Sequence, residues 1–399
     1  MRPAIVYFVL FGAIAAYFPY VSVFYRSIGL SLGDVGLLTA LSAAVAVVSA
    51  PLWGALVDRA LDVRVALALA GLWAAAAGAW LAVSRDPVVV TAAVVALAAG
   101  SAGMGPMLDS RTIELIGSDR DRYGRARAWG SLAFTAFALG VGVLIERTGP
   151  PGLFLVYVPG IALTGLIAWA LLGQSGGRAG ARGHGAGGSR VATRSPSIGF
   201  GAGLAGLVRD PPLLLFFVGS VLLWTAVSAL TTFLSIHLVD LGAEGSLIGL
   251  VWTPGALVEV PLMLAFPAIA RRVGAERLLV LGALAFAVRA AIWSAVSDPW
   301  LYVATAPLGG IGYAFFYVGT VTYVSRAVPP SVQATAQGIF SGTAFSLGSI
   351  LGAVVGGVLA APLSIPGLFA LSAAGTVAGA AIILQATRVR RGPRTARGD

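Results

Sequence analysis

The chain has no cysteine and no lysine, and only 11% of its 399 residues are charged. Without cysteine there is no disulfide, no thiol nucleophile and no cysteine-ligated metal. Charge this sparse excludes an ordinary soluble domain, where the charged share averages about 25%. No clustered His, Cys or paired acids marks a metal or nucleophile centre. The sequence therefore predicts no enzyme, no catalytic or metal-binding residues and no cofactor.

What is present is apolar. Hydrophobic residues make up 58% of the chain, in runs long enough to cross a bilayer, which takes about 20 residues for roughly 30 Å of hydrocarbon. The reading is a multi-pass helical membrane protein, with the lipid bilayer as a partner. All 26 basic residues are Arg and the formal charge is +10. They lie between apolar runs, which points to orientation in a membrane and away from nucleic acid. The first run is too long for a signal-peptide core and lacks a small-residue cleavage site, so it is read as a span.

Turn signals such as Arg85-Asp86-Pro87, Gly149-Pro150-Pro151 and Pro329-Pro330 divide the runs into twelve helices. They fall at about 3–26, 34–58, 63–84, 87–116, 123–146, 151–173, 212–240, 245–270, 275–297, 299–327, 331–361 and 366–387. The segments joining helices 2–3, 4–5, 6–7, 8–9 and 10–11, with both tails, hold nearly all the Arg. The opposite turns hold Arg26, Arg85 and Arg147 against Asp34, Asp86, Glu146, Asp240, Glu244 and Asp298. Both termini are therefore expected on the cytoplasmic side of the cell's inner membrane.

The predicted fold is all-α, with two six-helix bundles at 1–173 and 212–388. A Gly/Ser/Arg-rich cytoplasmic linker at 174–211 joins them, and 389–399 forms a basic cytoplasmic tail. His184, within the linker, is read as a solvated residue. A gap-free repeat at an offset of 213 supports the division: Gly29 matches Gly242, Gly36 matches Gly249, Leu37 matches Leu250, Arg59 matches Arg272 and Arg64 matches Arg277.

A few charges do not belong to that scaffold. Glu259 and Arg289 fall near mid-membrane in consecutive helices, where a charge costs about 2.5–3.5 kcal/mol on insertion scales. Shifted by 213 they land on Ala46 and Ala76, so the other half does without both. They are expected to face an interior cavity and to pair. Arg127, Ser131 and Phe134 share one helical face at i, i+4 and i+7. A cation, a hydroxyl and an aromatic ring on one stripe suit a grip on a polar solute; the other reading of the charges around them is cytoplasmic interface residues attracted to headgroups and to each other. Tyr17, Tyr20 and Phe24 form a stripe in helix 1, Tyr313, Phe316, Tyr317 and Thr320 one in helix 10, and Gln333, Gln337 and Ser341 one in helix 11. Gly54, Asp58, Arg59 and Arg64, around the end of helix 2, read as a cytoplasmic gate. Pro19, Pro106, Pro254, Pro261 and Pro307 interrupt apolar runs and are expected to kink helices or free carbonyls.

These residues resemble the major facilitator superfamily, in the branch of lactose permease, nucleoside–proton symporters and phenylpropionate-type permeases. The likeness covers nearly the whole chain. It is carried by Ala16-Tyr17-Phe18-Pro19, by Pro51-Leu52-Trp53-Gly54 through Asp58, and by Tyr123-Gly124-Arg125-Ala126-Arg127 leading to Trp129-Gly130. Glu259-Val260-Pro261, Arg289 and Gln337-Gly338 complete it. The resemblance implies a substrate site at Asp109, Arg127 and Phe134 and a proton-coupling pair in Glu259 and Arg289, while the helical stripes add Ser131, Tyr17, Tyr313, Tyr317 and Gln337 as substrate-site candidates. Relatives in the branch usually carry a helix 10 His, and some a neighbouring Glu, where this chain has Gly309, Gly310, Tyr313 and Tyr317; it also has Leu61 for a loop Gly and Phe134 for a Trp.

The resulting expectation is a monomeric secondary active transporter working by alternating access. It would move a small polar solute, a sugar, oligosaccharide or nucleoside, with symported protons and the proton gradient as energy source. Import of a small aromatic acid and proton-antiport export of drugs or metabolites are the alternatives on the same fold.

Overall fold

The computed structural model describes residues 2–116, 120–173, 210–328 and 333–391. His184, most of the linker and the last residues of the tail lie outside these. Among the described residues the regular structure is helical throughout. Eleven helices or helix pairs are long and apolar enough to cross a membrane, and the last covers two of the twelve expected spans.

In chain order the elements are α1 (Arg2–Tyr17), α2 (Val21–Ser27), α3 (Leu32–Arg59), α4 (Val63–Val83), α5 (Pro87–Ser101), α6 (Met104–Ile116) and α7 (Arg120–Thr148). After a 3₁₀ turn at Pro150–Gly152 come α8 (Leu153–Leu171), α9 (Pro211–Asp240), α10 (Gly245–Val273), α11 (Ala275–Ala295), α12 (Pro299–Thr305) and α13 (Pro307–Ala327). Then follow α14 (Gln333–Phe340), a π-helical turn at Ser341–Phe345, and α15 (Ser346–Arg391).

The starts obey simple capping chemistry. Asp62, Asp86, Asp210 and Asp298 each stand at an N-cap and accept from backbone N–H groups of α4, α5, α9 and α12. These acids satisfy orphan donors that nothing else would reach. Three of the four are followed by proline at the first helical position, where a missing N–H costs nothing.

Prolines act unequally. Span 1 breaks over Phe18-Pro19-Tyr20, and span 10 breaks at Ala306 just before Pro307. Span 4 is also split, between Ser101 and Met104, and Pro106 stands at the third position of the second piece. Pro254 and Pro261, by contrast, lie inside an unbroken α10 together with Pro267. Spans 11 and 12 run on as one element, separated by Ser364 with φ 62° and ψ 164° between Pro362 and Pro366.

The repeat holds at the level of geometry. Gly29 and Gly242 both take positive φ, 89° and 79°, a conformation a side chain resists. Gly36 and Gly249 both allow backbone contact: a Cβ at 36 would overlap Ala353 O, and one at 249 would overlap Ala138 O. The helices agree as well, since α3 and α10 start at 32 and 245, and α2 and α9 end at 27 and 240.

By packing, the molecule divides into two units. One takes the described parts of Met1–Tyr17, Val45–Phe137 and Phe154–Ser197. The other takes those of Phe18–Ala44, Ala138–Leu153 and Ile198–Asp399. In the first, α4 lies along α5 and Gly71 meets the backbone of Ile161 and Gly165 in α8. The second has a core around Phe216, Leu223, Leu279, Phe286, Phe316, Phe340 and Ile383.

The second unit also contains ends of spans from the first half of the sequence. There Gly142 meets Gly245 backbone to backbone, and Tyr20 donates to Ala138 O at 2.5 Å with Gly245 O 3.2 Å away. Glu146 accepts from the Ser246 N–H at 2.7 Å. Tyr20 and Phe24, an aromatic stripe in the sequence, are buried packing residues here.

Candidate functional site

In the first unit, Asp109 on α6 is the hub of a polar cluster. Tyr7 of α1 donates to Asp109 Oδ1 at 2.5 Å, and Tyr123 of α7 donates to the same oxygen at 3.1 Å. Two phenols on one oxygen fix the carboxylate's rotamer. Arg127 of α7 lies beside this group, its guanidinium carbon 3.9 Å from the centroid of Phe11 and 5.8 Å from that of Tyr7. Such stacking holds a planar cation by its face and leaves the N–H edge for a ligand. Gly130 makes room, since a Cβ there would press on Phe11 and on Arg127 Nη1. Ser131 and Phe134 follow on α7, both half-buried.

The helices explain this placement. Tyr7 and Phe11 stand at i and i+4 on α1, so one face of that helix presents a phenol and a ring together. The same face continues to Phe8, whose ring meets Trp129 and Phe137 of α7 edge-on at 6.3 and 5.8 Å. α1 and α7 are thus pinned together by aromatic packing on either side of the Arg127 side chain.

Tyr17 has a different setting. Its ring contacts are with Tyr157 at 4.9 Å and Phe154 at 6.5 Å, both on α8. Arg111, one turn before Glu114, is almost wholly buried. It pairs with Glu114 at 2.7 Å and donates to the carbonyls of Leu172 and Gly173 at the end of α8. This arrangement closes a helix C-terminus, where a cation suits the dipole. Of the gate residues, Gly54 has open space around it, and Asp58 and Arg59 are exposed. Arg64 pairs with Asp62 at 3.6 Å, because Asp62 is held in place as the α4 cap. Trp53 anchors this end of α3 by donating to Ala99 O.

In the second unit the groups are arranged otherwise. Arg289 on α11 is 9% exposed, and its guanidinium carbon lies 4.6 Å from the Trp293 centroid and 5.4 Å from that of Phe286. It presses on Gly309 of α13, where a Cβ would overlap Nη1. Among the described residues no ion pair joins Arg289 to a carboxylate, and its Nε is buried without an acceptor. Glu259 is half-buried on α10, one turn after the point where Gly255 and Gly310 bring α10 and α13 into contact. The two adjacent glycines thus do separate jobs. Gly309 admits the guanidinium, and Gly310 admits the neighbouring backbone.

Tyr313 and Tyr317 are stacked on α13 at 5.5 Å with 6° between their planes. Trp224 of α9 and Phe345 of the π turn complete an aromatic shelf, 6.0 Å from Tyr313 and 5.9 Å from Tyr317. Trp224 is held by its own indole N–H, which donates to Ser349 Oγ at 3.0 Å. Tyr317 remains 36% exposed. Gln337 on α14 donates to Val321 O at 2.6 Å and to Ser325 Oγ at 3.0 Å, so its amide ties α14 to α13.

Of the expected residues, Asp109 and Arg127 share one cluster and Tyr313 and Tyr317 another, and Tyr7, Phe11, Tyr123, Trp224 and Phe345, which join them, were not expected. Tyr123 stood inside the quoted Tyr-Gly-Arg-Ala-Arg run, and Tyr7 and Phe11 had i, i+4 spacing, so both signals were available. Trp224 and Phe345 gave none, since each joins its shelf through contacts between distant segments.

The chain matches the MFS_1 like family over residues 1–369. The maltose permease of Geobacillus stearothermophilus is 29% identical over 358 residues, which span 86% of this chain and 83% of that protein. The putative nucleoside transporter YegT of Escherichia coli (strain K12) is 29% identical over 149 residues, 36% of this chain and 35% of that one. A crystal structure of a point mutant of the nucleoside transporter NupG superposes with a TM-score of 0.81 at 17% identity. It covers 96% of this chain and 98% of the other. That likeness concerns the fold.

Proposed function

The chain belongs to the MFS_1 like family of membrane transporters, and from that premise we propose that it carries a neutral polyhydroxylated solute, a sugar or a nucleoside, by proton-coupled alternating access. It is a transporter and not an enzyme. The observation that carries the solute reading is the cluster in the first unit. An immobilised carboxylate offers an acceptor, and a ring-stacked guanidinium offers planar donors. Hydroxyl groups of a sugar or ribose both donate and accept, so they suit that pair, whereas a purely lipophilic compound would leave both charges unpaired at a cost. The names of the relatives, a maltose permease and a nucleoside transporter, support the same class.

The aromatic shelf of Trp224, Tyr313, Tyr317 and Phe345 suits the flat apolar face of a sugar ring or a nucleobase. Glu259 is proposed as the group that takes up the coupling proton, with Arg289 setting its electrostatic surroundings from α11. Protonation of a half-buried carboxylate removes a charge that resists sealing away from water, which biases the loaded protein toward the switch.

The test is uptake of labelled maltose and of labelled uridine into proteoliposomes under an imposed inward proton gradient. The proposal expects one of them to accumulate above its external concentration, and Glu259→Gln to reduce this to simple equilibration. If neither solute enters, the solute class is wrong. If accumulation survives Glu259→Gln unchanged, Glu259 is not the proton carrier.

A further inference from the structure

The second unit holds a cavity that the transport reading does not use. It lies at the Arg-rich ends of α11, α13 and α15 and is lined by Ala275, Glu276, Gly319, Thr322, Tyr323, Arg326 and Arg390, with a volume of about 140 Å³. That is ample for a small charged group, since one water needs only about 10–15 Å³ on such a measure. The floor is built and rigid. Tyr323 is buried and stacks on Phe216 at 4.0 Å. Arg390 is fixed by Asp210 at 3.1 Å and by Ala327 O at 2.6 Å, with its guanidinium carbon 5.8 Å from the Tyr323 centroid. Those two anchors hold the guanidinium in the wall of the cavity. Arg326 stands opposite on α13, exposed.

Two further features identify the kind of ligand. The sequence next to the lining residues is basic: Arg271, Arg272 and Arg277 flank Ala275 and Glu276, Arg388 precedes Arg390, and all four are exposed. The flanking helices are apolar and uncovered. Leu281, Leu284 and Val288 are exposed on α11, and Val377 and Val389 on α15. A polar, cationic recess at the membrane end of two greasy helix faces matches an amphipath with an anionic head and hydrocarbon tails. We propose that this cavity binds the phosphate headgroup of an anionic lipid, held by Arg326 and Arg390 with its chains along α11 and α15. Glu276 on the wall limits the affinity, so the lipid exchanges with the surrounding leaflet.

The experiment is native mass spectrometry of the full-length protein released from nanodiscs of mixed phosphatidylglycerol and phosphatidylcholine. The expected result is enrichment of phosphatidylglycerol on the protein, a loss of about fivefold in that adduct for Arg326→Ala, and a gain for Glu276→Gln. Arg326 is exposed, so its replacement leaves folding intact, and unchanged thermal unfolding of Arg326→Ala verifies this. Equal occupancy by the two lipids, or an adduct indifferent to both substitutions, overturns the proposal. Lipid-free protein that binds inorganic phosphate through Arg326 while showing no lipid preference also overturns it, in favour of a soluble phosphate compound.

Discussion

Two arginines inside predicted spans, Arg127 in the first unit and Arg289 in the second, look alike in the sequence and live differently. Both guanidinium groups rest on aromatic rings, Phe11 at 3.9 Å and Trp293 at 4.6 Å. Arg127, however, is half-exposed and accompanied by a carboxylate held in place by two phenols. Arg289 is nine-tenths buried in a recess shaped by a glycine. The lesson is that ring stacking makes a cation tolerable in an apolar bundle, while exposure decides whether that cation can meet a solute. The open arginine is suited to binding. The sealed one is suited to setting the potential around its neighbours.

The sharpest way to break the contrast is to close the recess. Gly309→Val places side-chain atoms where Arg289 Nη1 now lies, and the tight packing offers no easy exit. The expected loss is about 1–3 kcal/mol, read as a lower midpoint in detergent thermal unfolding. The matching change at Gly54, which has nothing within 4 Å, should leave the midpoint nearly unchanged. Equal effects at the two positions would mean that Arg289 is not packed as described.

Arg127→Ala addresses the open arginine. It should weaken solute binding about tenfold or more, the scale of a lost charged hydrogen bond, with thermal stability little altered. Phe11→Leu is the finer probe, since it keeps apolar volume but removes the ring beneath the guanidinium. A loss of about fivefold in affinity is expected, in line with roughly 1 kcal/mol for such stacking. A Phe11→Leu protein with unchanged affinity would reduce the ring to simple packing.

Hydrophobic length and turn chemistry were enough to reveal the spans, because a bilayer allows few ways to bury a backbone. Gly29 and Gly242 show why even the repeat was legible: a turn that needs positive φ selects the same residue in both halves. The breaks were less visible. Pro19 interrupts its helix while Pro254 and Pro261 do not, and that depends on neighbours able to satisfy the freed carbonyls. In the polar cluster, spacing along α7 led to Arg127 but not to Phe11 beneath it. That contact arises from the packing of α1 on α7, which periodicity within one helix does not encode. Likewise Glu259 and Arg289 matched in depth, but depth does not fix rotation about the helix axis, and Arg289 turns toward Gly309.

The most direct test of the whole account is equilibrium binding of maltose and of uridine to purified wild-type protein and to Asp109→Asn. Asparagine preserves the side-chain shape and an oxygen for Tyr7 and Tyr123, so only the charge is removed. The account predicts that one of the two solutes binds the wild-type protein and loses about 10- to 100-fold in affinity in the variant. Binding that is the same in both proteins would contradict it.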